Sequence, residues 1–159
     1  ALSYSSTPHA ENVSALARRM TEQGIQADTV ISPAVGGLFV GQEVARALKL
    51  KSIFADKVND ELVLKRGFSI KPGERVIVAE DVVTEGGRVK QTIELVKKHG
   101  GIPVAVSIIT DRSGGKADFG IPLFSLLQLS LPTYLPEECP LCKDNVPLST
   151  PGSGAGAKA

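Results

Sequence analysis

Apolar and polar positions alternate along this chain with two distinct periods. Val13, Leu16, Ala17 and Met20 recur at helical spacing across residues 11–24, and Gly24 supplies a stop, so the pattern predicts a helix there. Leu38 to Leu48 repeats the helical spacing through Phe39, Val40, Val44, Ala47 and Leu48, and Val89 to His99 does so again before Gly100-Gly101. Between these lie short apolar runs with the length and β-branching of buried strands: Asp28–Ser32, Ser52–Ala55, Arg75–Ala79, Pro103–Ile109 and Phe124–Leu129. Asn59-Asp60, flanked by extended runs within Lys57–Ser69, reads as a hairpin turn. Strands alternating with helices over short connections predict an α/β fold. Its sheet is Rossmann-like and parallel, flanked by helices on both faces, with a short hairpin added.

In such a sheet, ligands bind beyond the carboxyl ends of the strands, where the strand order reverses. Three polar or glycine-bearing segments fall at those ends: residues 32–37, 80–88 and 110–116. The loops read either as simple connections or as three parts of one site. Composition narrows the partners. A net charge of +1 gives no general basic surface, which argues against nucleic acid, so any charge-based recognition must be local. No apolar run approaches the ~20 residues of a membrane helix, and Ala1–Ala10 lacks a signal-peptide layout; the chain therefore reads as cytoplasmic, with no membrane partner. The two cysteines, Cys139 and Cys142, are too few for a disulfide scaffold. They form half of a zinc site, and incidental thiols or a zinc shared across a dimer are both open readings.

The segment richest in chemistry is Arg75 to Arg88. An apolar strand delivers Glu80 and Asp81 to its end, two valines follow, and Thr84-Glu85-Gly86-Gly87 leads into a helix. Glycines ahead of a helix N-terminus let backbone N–H groups converge on a phosphate, favoured also by the helix dipole. The Thr84 hydroxyl adds a donor. Adjacent carboxylates beside that phosphate suit ribose hydroxyls, directly or through Mg²⁺. The plainer alternative makes the acidic pair strand-end residues and the glycines a turn.

This stretch resembles the phosphoribosyl pyrophosphate motif of the type I phosphoribosyltransferases. The resemblance implies that Glu80 and Asp81 hold the ribose, with Mg²⁺ bound through the substrate and by these carboxylates. Thr84, Glu85, Gly86, Gly87 and Arg88 correspond to its 5-phosphate loop. Glu85 stands where the family has a small residue, and Arg88 where it has Ser or Thr; the expectation is that Glu85 faces solvent while Arg88 supports the phosphate. Ser32 to Gly37 resembles the family's pyrophosphate loop, which makes Val35, Gly36 and Gly37 candidate ligands. That loop in the family often carries a non-proline cis peptide, and in many orotate members a Lys, which this chain lacks. Thr110-Asp111-Arg112 is similar to the orotate members, whose corresponding Arg contacts the base. Its fork of donors suits a carboxylate or carbonyl edge, and Thr84 is placed beside it as an orotate contact. Lys57 to Arg66 matches the mobile hood loop that reaches a neighbouring subunit, so Lys57 (as a catalytic group), Lys65 and Arg66 are candidate pyrophosphate cations and the chain is expected to be a homodimer.

Tyr134 to Lys143 also resembles a C-terminal segment of some orotate members. The resemblance implies transfer of ribose 5-phosphate from phosphoribosyl pyrophosphate to orotate, giving orotidine 5′-monophosphate for pyrimidine synthesis. A purine phosphoribosyltransferase, or a non-catalytic regulator that senses phosphoribosyl pyrophosphate, are the competing readings. Residues 1–146 are expected to form the catalytic domain, lacking the family's N-terminal hood part. Residues 147–159, rich in Pro, Gly, Ser and Ala, are expected to be a flexible tail.

Overall fold

A computed structural model of the protein describes residues 6–132, 134–135 and 137–147. Apart from Pro147, the tail expected to be flexible lies outside the described residues, as do residues 1–5. The elements are α1 (Ser6–Glu22), β1 (Thr29–Pro33), α2 (Leu38–Leu48), β2 (Lys51–Val58), β3 (Glu61–Leu64), β4 (Arg75–Val83), α3 (Gly87–Lys98), β5 (Ile102–Asp111), β6 (Leu123–Gln128) and α4 (Pro140–Lys143). The strands form one six-stranded sheet in the order β3-β2-β1-β4-β5-β6. All neighbours are parallel except β3, which pairs antiparallel with β2 at one edge.

Both faces are covered, as the apolar runs require. Val13, Leu16 and Met20 of α1 pack with Val40, Val44 and Ala45 of α2 on Val30, Ile77 and Phe124 of the sheet. On the opposite face, Val89, Ile93 and Val96 of α3 pack on Ile31, Val78, Val106 and Ile108. Every residue of β1 is buried, as befits a central strand with helices on both sides. No described helix is long and apolar enough to cross a membrane.

Where boundaries differ from the sequence reading, pairing explains it. α1 begins five residues before Glu11; Pro8 falls in its first turn, where a missing N–H costs no intrahelical bond. It ends as foreseen, with Gly24 at φ 74° and Ile25 N–H donating to Met20 O. β2 outruns Ser52–Ala55 because it pairs with β1 through Ala55 and then with β3 from Ala55 to Val58. Asn59 and Asp60, both at positive φ, make the two-residue turn. Most consequential for the site, β4 does not stop at Ala79. Pairing of Glu80 with Ile108, Val82 with Thr110 and Val83 with Asp111 carries it to Val83. The acidic pair is therefore held in a strand and does not open a loop. The one-turn α4 was not anticipated; Pro140 stands at its start, where proline is tolerated.

The strand order reverses between β1 and β4. Chain following β1 moves outward to β2, and chain following β4 moves the other way to β5. The segments after β1 and β4 thus flank the crevice where parallel sheets bind ligands.

Candidate functional site

Glu80 and Asp81 leave adjacent positions of β4 for opposite surroundings. Glu80 is 3% exposed, whereas Asp81 is half-buried. Glu80 Oε1 accepts the Asp81 N–H at 3.1 Å, and Asp81 Oδ1 accepts the Val82 N–H at 2.8 Å. Glu80 Oε2 is buried with no hydrogen-bond partner. Burial, reinforced by the neighbouring Asp81, pushes the Glu80 carboxyl up to about 8, with Arg88 pulling weakly the other way. A buried carboxylate with a free oxygen is costly unless something pairs with it.

The loop after β1 closes on this pair. A Cβ added to Gly36 would lie 2.8 Å from Asp81 Oδ2, and one added to Gly37 would lie 3.0 Å from Glu80 Oε1. Only glycine lets the backbone approach the carboxylates so closely. The Ala34–Val35 peptide is cis, the feature that the resemblance brought to this loop. Val35 itself is 72% exposed.

The loop after β4 makes the other wall. Gly86 caps α3 at φ 78°, and no side chain caps that helix end, so first-turn N–H groups lack a side-chain acceptor. A cleft of roughly 190 Å³ is lined by Glu80, Asp81, Thr84, Gly86, Gly87 and Arg88. Beside it, a hollow of roughly 740 Å³ is lined by Thr84, Glu85, Arg112, Ser113, Lys116 and Leu131, among others. Thr84 borders both. Its neighbours divide: Arg88 faces the acidic cleft, and Glu85, exposed as foreseen, borders the hollow with Arg112 and Lys116. Arg112 is fixed at its backbone, where its N–H donates to Val83 O at 2.7 Å. Buried Asp111 accepts the Ser113 N–H at 2.8 Å and so shapes the following turn.

Of the expected site residues, the structure brings Glu80, Asp81, Thr84, Gly86, Gly87 and Arg88 around one cleft and puts Glu85 with Arg112 in the adjoining hollow, while Val35, Gly36 and Gly37 line neither. Sequence reasoning included Lys116 only as the end of the segment 110–116, without a role, and missed the segment from Ser130 to Pro132; both line the hollow. The only local signal for Lys116 was its place after Gly114-Gly115 in the loop following β5. The hood candidates are elsewhere. Lys57 is on the β2–β3 hairpin with its Nζ 2.6 Å from Asp60 Oδ1. Arg66 pairs with Asp56 at 3.2 Å and lies over the Phe54 ring, while Lys65 is exposed. None of the three lines either cavity. Cys139 and Cys142 are free thiols; backbone N–H of Cys142 holds Cys139 low, and the contact with Cys139 raises Cys142. Among the described residues, no group of three or more His, Cys, Asp or Glu side chains could hold a metal.

Residues 4–121 match the phosphoribosyl transferase domain family. The chain is 49% identical over 138 residues to an orotate phosphoribosyltransferase of Carboxydothermus hydrogenoformans, covering 87% of this chain and 72% of that protein. It is 56% identical over 126 residues to the orotate phosphoribosyltransferase of Thermotoga maritima, covering 79% and 67%. Crystal structures share the fold. An orotate phosphoribosyltransferase from Aeropyrum pernix matches with TM-score 0.61 at 23% identity over 75% of this chain and 71% of that one. An adenine phosphoribosyltransferase from Thermoanaerobacter pseudethanolicus matches with TM-score 0.65 at 20% identity over 76% and 80%. A glycine loop pressed against an acidic pair at the sheet's reversal point is thus set in a chain that belongs to the phosphoribosyltransferase family, with orotate phosphoribosyltransferases as its relatives at about half identity.

Proposed function

We propose that the protein is an orotate phosphoribosyltransferase, forming orotidine 5′-monophosphate and pyrophosphate from orotate and phosphoribosyl pyrophosphate in pyrimidine biosynthesis. The observation that carries this reading is the acidic pair, buried Glu80 and half-buried Asp81, pressed against Gly36 and Gly37, with the Thr84–Arg88 cleft on one side and the hollow of Arg112 on the other. In this reading, residues 1–146 make the catalytic domain. Glu80 and Asp81 accept hydrogen bonds from the ribose hydroxyls. Thr84 and the N–H groups of Gly86, Gly87 and Arg88 hold the 5-phosphate, and the Arg88 guanidinium adds charge. Backbone groups of Val35, Gly36 and Gly37 hold the pyrophosphate. Arg112 donates to the orotate carboxylate or a ring carbonyl, with Thr84 beside it.

The donor set fits Mg²⁺. Two adjacent carboxylates, one with an unpartnered buried oxygen, are hard oxygen donors, and Glu80 and Asp81 would hold the ion together with the substrate. When bound, Mg²⁺ supplies positive charge that stabilises the leaving pyrophosphate. The chain contributes positioning and fixed charge, with no side-chain nucleophile. Asp81 and Glu80 face the ribose where positive charge develops, which favours departure of pyrophosphate. The orotate nitrogen, oriented by Arg112, then meets the anomeric carbon. Lys57, Lys65 and Arg66, which line neither cavity, fit a hood reaching a second copy in a homodimer.

The test is an assay with phosphoribosyl pyrophosphate, Mg²⁺ and a panel of orotate, uracil, adenine and hypoxanthine. Orotate-dependent release of pyrophosphate is expected. Turnover of purines alone would overturn the assignment, and tight phosphoribosyl pyrophosphate binding with no turnover of any base would make the protein a sensor. Sedimentation should give a dimer.

A further inference from the structure

The excursion from Arg112 to Ile121, between β5 and β6, has two faces. One carries Arg112, Ser113, Lys116 and Ala117 into the hollow beside Thr84. The other bears Phe119, whose ring fills the space where any side chain at Gly86 would go: a Cβ there would lie 2.7 Å from Phe119 Cε1 and 2.9 Å from Cζ. Gly86 is the left-handed residue that caps α3 without help from a side chain. The excursion also grips the strand just before this loop, through the Arg112 N–H on Val83 O at 2.7 Å. Phe119 is itself held. Ala117 N–H donates to Ser113 Oγ and Gly120 N–H to Asp118 Oδ1, both at 2.9 Å. Ala117, Phe119 and Ile121 pack on the core cluster that contains Val83, Val89 and Ile93. An aromatic ring therefore lies flush against Gly86, which with Gly87 lines the cleft.

We infer that Phe119 is a positioning residue for the phosphate loop, setting the backbone of Gly86 and Gly87 for a sugar 5-phosphate from the same excursion that lines the base pocket. The inference rests on reading Thr84–Arg88 as the phosphate site. Removing the ring leaves Gly86, already free in conformation, with nothing behind it. The loop then samples arrangements in which its donors diverge. The loss should fall on phosphate binding and spare the base and the chemical step, because Phe119 touches neither.

The experiment is a graded series, Phe119→Leu, Phe119→Val and Phe119→Ala, read by steady-state kinetics, by calorimetric titration with ribose 5-phosphate, and by thermal melting. Phe119→Ala is expected to raise KM for phosphoribosyl pyrophosphate about tenfold, with kcat and KM for orotate within about threefold of the parent. The Kd for ribose 5-phosphate should rise in step along the series, with Phe119→Leu closest to the parent. A purely structural role would instead lower the active fraction, reducing kcat at unchanged KM. An unchanged ribose 5-phosphate Kd in Phe119→Ala overturns the inference, as does an equal loss for orotate. If Phe119→Ala does not fold, a flat response from Leu to Val overturns it equally. Should the parent protein fail to use orotate, the reading of the base pocket falls, while the ribose 5-phosphate titrations still decide the role of Phe119.

Discussion

The two edges of the sheet treat their carboxylates in opposite ways. At the edge where β1 and β4 begin, Asp28 takes the Arg75 guanidinium at 2.9 and 3.2 Å and the Arg75 N–H at 2.9 Å. Beside it, Glu74 accepts from Lys51 Nζ at 3.1 Å and from the Lys71 N–H at 2.7 Å. Hydrogen bonds from Arg75 hold the Asp28 carboxyl down at about 2. At the opposite edge, Glu80 is buried, lacks a partner for one oxygen and is pushed up to about 8. Carboxylates just before the strands are satisfied by protein, whereas Glu80, further along β4, is left incomplete. An incomplete buried carboxylate destabilises the empty fold and becomes favourable once a hydroxyl or cation arrives. Carboxylates paired within the protein stand at the strand starts, and the one left open stands toward the strand ends.

The sharpest break of this contrast is at Asp81. Asp81→Asn keeps the shape and removes a charge from the proposed ribose site, so kcat with orotate should fall by about 100-fold or more with the melting temperature nearly unchanged. Near-normal turnover would move the chemistry away from this edge.

Arg112→Ala comes next. It should raise KM for orotate by about 30-fold through loss of a charge-assisted hydrogen bond, while KM for phosphoribosyl pyrophosphate stays within about twofold. Equal losses for both substrates would remove Arg112 from base recognition.

Glu80→Gln tests the cost of the incomplete edge. The folded chain holds the Glu80 proton above its ordinary value of 4.5 and releases it near 8. Its contribution to stability is complete below the unfolded pKa and is lost as pH rises through about 8. The ligand-free variant should therefore melt about 4 °C higher than the parent at pH 9 and nearly equal to it at pH 5, despite losing activity. A melting difference independent of pH would mean that Glu80 does not change protonation there.

The smallest effect belongs to the satisfied edge. Asp28 is held below its ordinary 3.8, so its stabilisation is present above that value and lost as pH falls through about 2. Because the pair is exposed, Asp28→Asn should lower the melting temperature by only about 1–2 °C at pH 6, narrowing toward pH 2, with activity unaffected. A large loss of turnover would contradict the division between the edges.

Much of this was legible in the sequence because it is local. The apolar spacing of Leu38 to Leu48 matches α2 residue for residue, and Asn59-Asp60 makes the hairpin turn. The order of acidic pair, valines, threonine and glycines marked the segment that lines the cleft, since glycine positions and strand-to-helix changes are written in adjacent residues. Long-range pairing was not legible. Nothing near Ala79 indicates that β5 will carry β4 on to Val83.

The chain by itself determined the alternation of strands and helices, the loops at the strand ends and the types of chemical group placed there. Only the tertiary structure decided which of those groups meet. Gly36 and Gly37 close over Glu80 and Asp81 from more than forty residues away, Phe119 backs Gly86, and Glu85 borders the hollow of Arg112 while Arg88 stays in the cleft. It also decided that burial raises the Glu80 carboxyl and that Lys57, Lys65 and Arg66 line neither of the two cavities. Helix and strand formation follow from neighbouring residues, but burial, and with it protonation and ligand geometry, depends on segments that only folding brings together.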